Sequence, residues 1–290
     1  MGRTKGSGRE PSKAMLKLSA NIEFMFADRD FVDRIDAVAE IGLTSYEFGE
    51  WLTRDMSAII ERAQKYGLVQ SNLGVDPRVR LTDEKNTEAF IEGIHQTAKM
   101  ARQVGCKRLG TVVDDVNLAP GMPWYEYQRD SQQREVRKHQ RDNIVNTLKK
   151  AAPVADGEGM LLVIECLNTL VDHADHYLAS WEEGVSIIKE VDSPAIRLTF
   201  DIYHHQVNEG NIISSLARHI DCVGHIHLAD VPGRHEPGTG EINFRNVLSA
   251  AKRAGYSGYL GLEFIPSKSD VKAALTPIRK IVETVNAEAA

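Results

Sequence analysis

Apolar and polar positions along the chain repeat one arrangement: an amphipathic helix, then a glycine, then a short apolar run. In the first repeat, DRDFVDRIDAVAEIG, the apolar residues of one helical face are Phe31, Ile35, Val38 and Ile41. The glycines that follow predicted helices are Gly42, Gly67, Gly105 and Gly255. Glycine closes a helix in the left-handed conformation at little steric cost, so each is a predicted helix end.

The apolar runs between these helices predict strands of one parallel sheet, because strands alternate with helices. The predicted strands are Lys17–Ile22, Thr44–Phe48, Leu68–Leu73, Arg108–Val113, Leu161–Leu167, Ile196–Ile202, Val223–Leu228 and Tyr259–Phe264. Eight strand–helix units within about 270 residues have the size of a (β/α)₈ barrel. An open doubly wound sheet is the alternative, but it would carry a glycine-rich phosphate loop where ANIEFMF follows. The prediction is a single (β/α)₈ TIM-barrel domain over residues 15–290, after a disordered tail at 1–14.

Chemistry-bearing side chains recur at the ends of the later predicted strands. They are Glu165, Asp201, His227 and Glu263, separated by 36, 26 and 36 residues. Because strand carboxyl ends share one face of a barrel, we expect these groups to converge. Carboxylates with one imidazole suit a divalent metal such as Mn²⁺, Mg²⁺ or Co²⁺. A metal there would polarise a 2-hydroxycarbonyl substrate and stabilise an enediolate, while Glu165 and Glu263 exchange protons with it.

Each of these residues also has a structural alternative. A glutamate at a strand end is often an ion-pair partner, and Asp201 could cap the turn that follows it. Of His225 and His227, we expect only one to face the barrel axis and the other to be packed or hydrogen-bonded elsewhere. Four such residues at matched strand ends nevertheless favour the functional interpretation.

Composition narrows the classes of partner and compartment. The net charge of −6 argues against a nucleic-acid ligand, which needs a basic face. Three distant cysteines without a CxxC pair fit a reducing compartment. No apolar run approaches the roughly 18 residues that span a bilayer, and the first residues lack an apolar signal core. We therefore predict a cytoplasmic protein with a small-molecule substrate.

Three segments carry a resemblance to a known family. FDIYHHQVNEGN, HIHLADVPGRHEPGTGEINF and GYLGLEFIP are similar to hydroxypyruvate isomerases, members of the xylose-isomerase-like (sugar phosphate isomerase/epimerase) barrel superfamily. NIEFMFADRDFVDRIDAVAEIGLTSYEF resembles the amino-terminal segment of that family, and IECLN resembles its EPxN motif. The likeness covers most of residues 17–285.

The resemblance implies roles for particular residues. It implies metal ligation by Glu165, Asp201, His227 and Glu263, and acid–base work by Glu165 and Glu263. It implies substrate contact by His204 and Arg234, although Arg234 could instead pair with Glu236 or Glu241. Two further polar residues at strand ends are predicted to bind substrate, namely Glu47 and Asn168. For Glu47, contact with a neighbouring cation is the alternative.

The implied reaction interconverts hydroxypyruvate and tartronate semialdehyde, or a closely related hydroxy-oxo acid. Hydroxypyruvate isomerases commonly have Gln where His227 stands, whereas the related ketose 3-epimerases have His, so a ketose 3-epimerase is the alternative. A metal-dependent lyase or dehydratase acting on an oxo-sugar or keto-inositol is another. The abasic-DNA endonucleases of this barrel would need extra histidines after strands three and four, where QSNLG and TVVDD have none.

Cys166 departs from the proline of the family motif, and strand alternation predicts that it faces the helices. Trp124, Tyr125 and Tyr127 lie in a long insertion, for which we weigh an apolar lid against a contact with a second subunit. The protein is expected to be a homo-oligomer.

Overall fold

Eight parallel strands close into a barrel in a computed structural model that describes residues 15–113 and 131–288. The strands are β1 (Lys17–Asn21), β2 (Ser45–Phe48), β3 (Val69–Gly74), β4 (Arg108–Val112), β5 (Leu161–Glu165), β6 (Ile196–Asp201), β7 (Val223–His227) and β8 (Tyr259–Leu262). Each strand pairs with the next along the chain, and β8 pairs with β1. The predicted (β/α)₈ barrel is confirmed.

Helices surround the barrel. Within the described residues they are α1 (Asp33–Glu40), α2 (Met56–Tyr66), α3 (Thr87–Gln103), α4 (Ser131–Gly157), α5 (Trp181–Val191), α6 (Ile202–Asn208), α7 (Ile212–Arg218), α8 (Phe244–Arg253), α9 (Val271–Ala274) and α10 (Thr276–Ala287). Short 3₁₀ turns lie at Glu84–Asn86 and Ile220–Cys222. The four predicted glycine stops follow α1, α2, α3 and α8 and have positive φ angles, as expected for left-handed helix ends.

The predicted strands extend one or two residues too far at most of their carboxyl ends. The clearest case is β6, which ends at Asp201 rather than Ile202. One carboxylate oxygen of Asp201, Oδ1, accepts a hydrogen bond from the backbone N–H of His204 at 2.8 Å. This contact caps α6 and begins a helix directly at the strand end. The apolar run therefore crosses from strand to helix without a polar break, and strand length could not be read from hydrophobicity alone.

The core lies between the outer face of the barrel and the helices, and buried aliphatic and aromatic side chains dominate it. The barrel interior differs, because several of its buried side chains are polar. They include Ser19 of β1, Glu47 of β2, Ser71 of β3 and His225 of β7. Most barrel interiors of this kind are filled by branched apolar residues. This polar interior lies directly beneath the strand ends that carry the candidate site.

None of the helices in residues 15–113 and 131–288 is both long and apolar enough to cross a membrane. The predicted tail at 1–14 and the aromatic residues Trp124, Tyr125 and Tyr127 lie outside the described residues.

An aromatic cluster between β6 and α5 encloses one histidine of α6. The His205 ring centroid lies 4.8 Å from that of Phe200 and 6.3 Å from that of Trp181. Burial in this surrounding lowers the pKa of His205 to about 4. Because an unfolded histidine titrates near 6.5, the unfolded state binds a proton over a range in which folded His205 stays neutral.

This difference predicts acid destabilisation. The contribution of neutral His205 to the free energy of unfolding is complete above about pH 6.5 and is lost as the pH falls toward 4. Between pH 8 and pH 5 this loss amounts to about 2 kcal/mol. Urea unfolding with a chelator present should show that His205→Gln removes this part of the pH dependence. The matched control His139→Gln, at an exposed position, should keep it. An unchanged pH slope in His205→Gln would contradict the assignment.

Candidate active site

A cavity of about 390 Å³ opens at the carboxyl ends of the strands. The strand register brings the predicted residues to this end. Glu165, Asp201 and His227 are the last residues of β5, β6 and β7, and Glu263 directly follows β8. Asp201 pairs with His227 across β6 and β7, and His227 pairs with Gly261 across β7 and β8. The βα spacing in the sequence thus predicted which side chains meet.

Glu165, Asp201 and Glu263 form a cluster of carboxylates, and His227 lies at its centre. Its Nδ1 lies 2.8 Å from Glu165 Oε1, 3.5 Å from Glu263 Oε2 and 3.9 Å from Asp201 Oδ2. All four side chains are at least about seven-eighths buried, and Asp201 is fully buried. Three carboxylates in one dry pocket repel each other, so they need cations or protons close by to remain together.

Their surroundings shift the pKa values of Glu165 and Glu263 in opposite directions. Burial raises the pKa of Glu165 to about 7, with His227 opposing the shift and the charges of Glu263 and Asp201 adding to it. Burial acts the same way on Glu263, but His227 and Arg234 outweigh it and hold the pKa of Glu263 well below its ordinary range. Carboxyl groups whose pKa values are pushed apart at one site suit an acid and a base.

Asp201 serves two purposes with its two oxygens. Oδ1 caps α6, as the structural alternative for this residue proposed. Oδ2 faces the cluster and has no hydrogen-bond partner among the described residues. A buried carboxylate oxygen without a donor is costly unless something positive meets it.

The hydrogen bonds of His204 fix which of its ring nitrogens carries the proton. Nδ1 accepts a hydrogen bond from the backbone N–H of Asn168 at 3.2 Å. The Asn168 side-chain nitrogen also lies 2.7 Å from this Nδ1, and the Asn168 side-chain oxygen is occupied by the N–H groups of Val171 and Asp172. Burial, followed by the charge of Arg234, lowers the pKa of His204 and keeps the ring neutral. The proton therefore lies on Nε2, which is buried without a described partner and acts as a donor.

Arg234 is inside the site and not on the surface. Its Nη2 donates to Glu263 Oε2 at 2.7 Å, rather than pairing with Glu236 or Glu241. The guanidinium lies 5.0 Å from the ring centre of Phe24 and 5.3 Å from that of Tyr203. These rings confine it by cation–π contact. Arg234 adopts a φ of 54°, a left-handed conformation uncommon for a side chain of this size.

Asp230 holds the loop that carries Arg234. Its buried carboxylate accepts hydrogen bonds from the backbone N–H groups of Val231, Gly238, Gly240 and Ile242, at 2.8–3.1 Å. The loop is also tied to the segment after β8, where Ile265 N–H donates to the Arg234 carbonyl at 2.8 Å. The unusual backbone of Arg234 is thus imposed by bonds on both sides of it.

Glu47 and His225 require a correction of the sequence analysis. We expected only one histidine of β7 to face the barrel axis, yet both His225 and His227 contact Glu47 in the interior. Residues two apart on a strand point to the same face, so the expectation misapplied the strand period. Glu47 contacts the imidazoles of both histidines and also lines the cavity, so its predicted substrate contact stays a prediction.

Two further polar side chains complete the site, and neither was assigned a role from the sequence. Asn21, at the end of β1, donates from Nδ2 to Glu263 Oε1 at 3.0 Å. Asp172 accepts from Asn168 Nδ2 and from the Tyr203 hydroxyl, at 2.7 and 2.8 Å. Asn21 could have been found, since it is the last polar residue of the predicted strand Lys17–Ile22. Asp172 lies in the loop TLVDHADHYL, whose sequence gave no signal.

The donor set fits a divalent cation. Ligand atoms of Glu165, Asp201, His204 and Glu263 lie within 4.8 Å of one another. His204 presents a protonated nitrogen, however, whereas His227 Nδ1 lies within 3.9 Å of all three carboxylates. We therefore prefer His227 as the nitrogen ligand. The unpartnered Asp201 Oδ2 is where a cation would be needed most.

Comparison with known proteins finds the same kind of barrel. The family model described as xylose isomerase-like TIM barrel matches residues 35–281. A putative hydroxypyruvate isomerase of Danio rerio is 28% identical over 92% of this chain and 96% of its own. A 2-oxo-tetronate isomerase of Cupriavidus necator is 29% identical over 87% of this chain and 94% of its own. A structure described as an AP endonuclease of family 2 from Brucella melitensis superimposes with a TM-score of 0.79, covering 92% of this chain and 99% of its own; at 22% identity this likeness shows the fold alone.

The Asp230 contacts predict that Asp230→Asn destabilises the protein. The amide nitrogen would face two backbone N–H donors in place of an oxygen, leaving them buried and unpaired, at a cost of about 2–4 kcal/mol in unfolding free energy. Asp55→Asn is the matched control, because Asp55 caps α2 at an exposed position and Asn caps helices equally well. Urea denaturation of both variants would show the difference. Equal stabilities would refute a structural role for the Asp230 carboxylate.

Proposed function

Since the chain belongs to the xylose isomerase-like TIM barrel family, we propose that it is a divalent-metal-dependent isomerase acting on hydroxypyruvate or a closely related small 2-oxo acid. An isomerase is the enzyme class that its relatives support. The observation that carries the proposal is the buried carboxylate cluster of Glu165, Asp201 and Glu263 beside the guanidinium of Arg234. Such a site offers oxygen ligands to a cation and a positive charge to an acidic substrate.

Glu165, Asp201, His227 and Glu263 would hold the metal, with Mn²⁺, Mg²⁺ or Co²⁺ as candidates. When bound, a divalent cation polarises the substrate carbonyl and stabilises the negative charge that develops as the adjacent carbon loses its proton. Asp201 contributes Oδ2 while its Oδ1 stays bound to α6, so the helix cap fixes the orientation of this ligand.

Proton transfer is assigned to the two glutamates. Conversion of hydroxypyruvate to tartronate semialdehyde removes a proton from C3 and returns one to C2. Glu165 and Glu263 reach the same volume from β5 and β8, and their opposite pKa shifts allow one to hold a proton while the other accepts one. Asn21 donates to Glu263 Oε1 and restricts the rotation of that carboxylate.

Substrate orientation is assigned to His204 and Arg234. The protonated Nε2 of His204 is a neutral donor fixed by Asn168, suited to a carbonyl or hydroxyl oxygen. Arg234 retains a buried Nε without a described partner while Nη2 binds Glu263. This leaves a charged donor for a substrate carboxylate next to the proposed acid–base group.

The second candidate is a ketose 3-epimerase. His227 favours it, because the 3-epimerases resembled by this sequence have His at that position. A lyase or dehydratase acting on an oxo-sugar or keto-inositol would begin with the same proton abstraction. Turnover of hydroxypyruvate, 2-oxo-tetronate, D-fructose, D-tagatose and a 2-keto-inositol with Mn²⁺, and its loss with a chelator, would separate these reactions.

Removing the carboxylates should abolish turnover. Glu165→Gln and Glu263→Gln each replace a base with a neutral amide that is also a poorer ligand, so we expect a loss of about 10²–10⁴-fold in kcat at saturating Mn²⁺. Glu50→Gln is the matched control, because Glu50 lines the same cavity at an exposed position. If either variant retains more than a tenth of wild-type activity, that residue does not transfer the proton.

Arg234→Ala should distinguish an acidic substrate from a neutral one. Loss of a desolvated carboxylate partner should cost about 2–4 kcal/mol and appear mainly in KM for hydroxypyruvate. Because Arg234 also pairs with Glu263, kcat should fall for both substrates, but in KM a ketose should lose only about 0.5–1.5 kcal/mol, the value of a hydroxyl contact. Steady-state kinetics on both substrates, with Arg54→Ala as a control at the Glu23 ion pair, gives the comparison. A wild-type enzyme that ignores hydroxypyruvate and epimerises a ketose would overturn the first candidate.

A further inference from the structure

Beneath the carboxylate cluster lies a second group of buried polar side chains, here named the lower layer: Ser19, Glu47, Ser71 and His225. Glu47 Oε2 accepts from Ser71 Oγ at 2.8 Å and lies 2.9 Å from His225 Nε2. Ser71 Oγ is in turn 2.6 Å from Ser19 Oγ. All four residues are at most 1% exposed, so this layer has no contact with solvent of its own.

An ionised glutamate at this depth is expensive. Burying a carboxylate costs several kcal/mol even after its hydrogen bonds form, and an apolar layer of equal volume is often as stable. Stability of the barrel therefore gives no reason to place a charge here. The side chain that connects the lower layer with the pocket above it is His227.

His227 turns one ring nitrogen toward each layer. Nδ1 faces the oxygens of Glu165, Asp201 and Glu263 above, at 2.8–3.9 Å. Nε2 lies 3.2 Å from Glu47 Oε1 below, an ion-pair contact, and neither atom has a hydrogen bond of good geometry among the described residues. With a cation bound at the cluster above, Nδ1 would be the ligand atom, and the one proton of the neutral ring would lie on Nε2, which faces Glu47.

The backbone of β8 makes room for this contact. Gly261 is paired with His227 in the register of β7 and β8. A Cβ atom at position 261 would lie 2.1 Å from Glu47 Oε1 and 2.6 Å from His227 Cδ2. Any side chain there would force Glu47 and His227 to move, so the glycine permits their close approach.

We propose that Glu47 is a positioning residue of the metal site: it holds the proton of His227 on Nε2 and so presents the Nδ1 lone pair to the Glu165–Asp201–Glu263 cluster. The inference rests on the proposed function, since it takes a cation to be bound by that cluster. A ligating imidazole commonly donates its other N–H to a carboxylate, which fixes the ring orientation and strengthens the ligand, and loss of such a partner costs about 10–100-fold in metal affinity. Glu47 would supply this contact from the opposite side of the barrel.

The first experiment uses the wild-type protein, in which neither His227 nor Glu47 is substituted. Long-range ¹H–¹⁵N spectra of the wild-type protein with saturating Mg²⁺ report the protonation of each imidazole nitrogen, and the chain has only 10 histidines. The signal of His227 is assigned by its disappearance in His227→Asn. We expect Nε2 to carry the proton of the ring and Nδ1 to carry none. The reverse tautomer overturns the proposal.

The second experiment measures metal affinity by titration calorimetry with Mn²⁺, without substrate. Glu47→Gln preserves the shape of the side chain and should weaken binding about 10–100-fold. In the double variant with His227→Asn, the Glu47→Gln change should cause almost no further loss of Mn²⁺ affinity, because the ligand that Glu47 positions is already absent. Glu183→Gln is the control, since Glu183 pairs with Arg137 on the outer side of the barrel. This variant should bind Mn²⁺ with the affinity of wild type.

The outcomes separate this inference from the proposed function. If wild type binds neither Mn²⁺ nor Mg²⁺, the metal-dependent function fails, and the inference fails with it. If wild type binds Mn²⁺ and Glu47→Gln binds it equally well, only the inference is overturned. Additive losses in the double variant also overturn it, because they would show that Glu47 acts independently of His227. Should Glu47→Gln fail to fold, the tautomer of His227 in the wild-type protein decides.

Discussion

Mutual repulsion among three buried carboxylates is the constraint on which the rest of the site depends. Glu165, Asp201 and Glu263 meet because parallel strands end on the same side of a barrel, and nothing in that geometry favours their charges. His227 and Arg234 offset the repulsion from within the protein, His227 through its contacts with all three carboxylates and Arg234 through its ion pair with Glu263. A site balanced in this way is prepared for additional positive charge, since Asp201 Oδ2 still lacks a donor in the described part of the chain.

Each of the two cations is itself held in place by a carboxylate that does not belong to the cluster. Glu47 lies below His227, and Asp230 gathers four backbone N–H groups of the loop that carries Arg234. Both are almost completely buried. A carboxylate that binds backbone N–H groups holds a loop more rigidly than apolar packing would, because its hydrogen bonds are directional and charge-assisted. The positions of His227 and Arg234 therefore depend on two carboxylates that lie outside the cluster.

The fold and the members of the cluster were predictable because both follow from periodicity. A helix, a glycine and an apolar run locate each strand end to within one or two residues, and the strand ends of one barrel converge whatever conformation the loops adopt. The error on His225 was of a different kind, since the strand period of two places it on the same face as His227. The partner of Arg234 could not be predicted, because it depends on a left-handed backbone conformation imposed by a loop folded around Asp230. The tautomer of His204 likewise follows from a contact with Asn168, 36 residues away.

Residues placed by the strands and residues placed by the loops have different parts in the proposed chemistry of the site. The strands bring together the three carboxylates and His227. Under the proposed function, these residues would supply what isomerisation, epimerisation and elimination have in common, namely a place for a cation and carboxylates that exchange a proton on the carbon beside a carbonyl. Loops bring in Arg234, which lies after β7 and pairs with Glu263, and Asn168, which lies after β5 and contacts His204. Under the same proposal, these residues would select the molecule that is held there. An acidic substrate adds a negative charge to a pocket that already contains three carboxylates, so a cation brought in by a loop, in addition to the proposed metal, would favour its binding. The position of Arg234 against Glu263 is therefore a stronger argument for an oxo acid than any ligand of the cluster, His227 included.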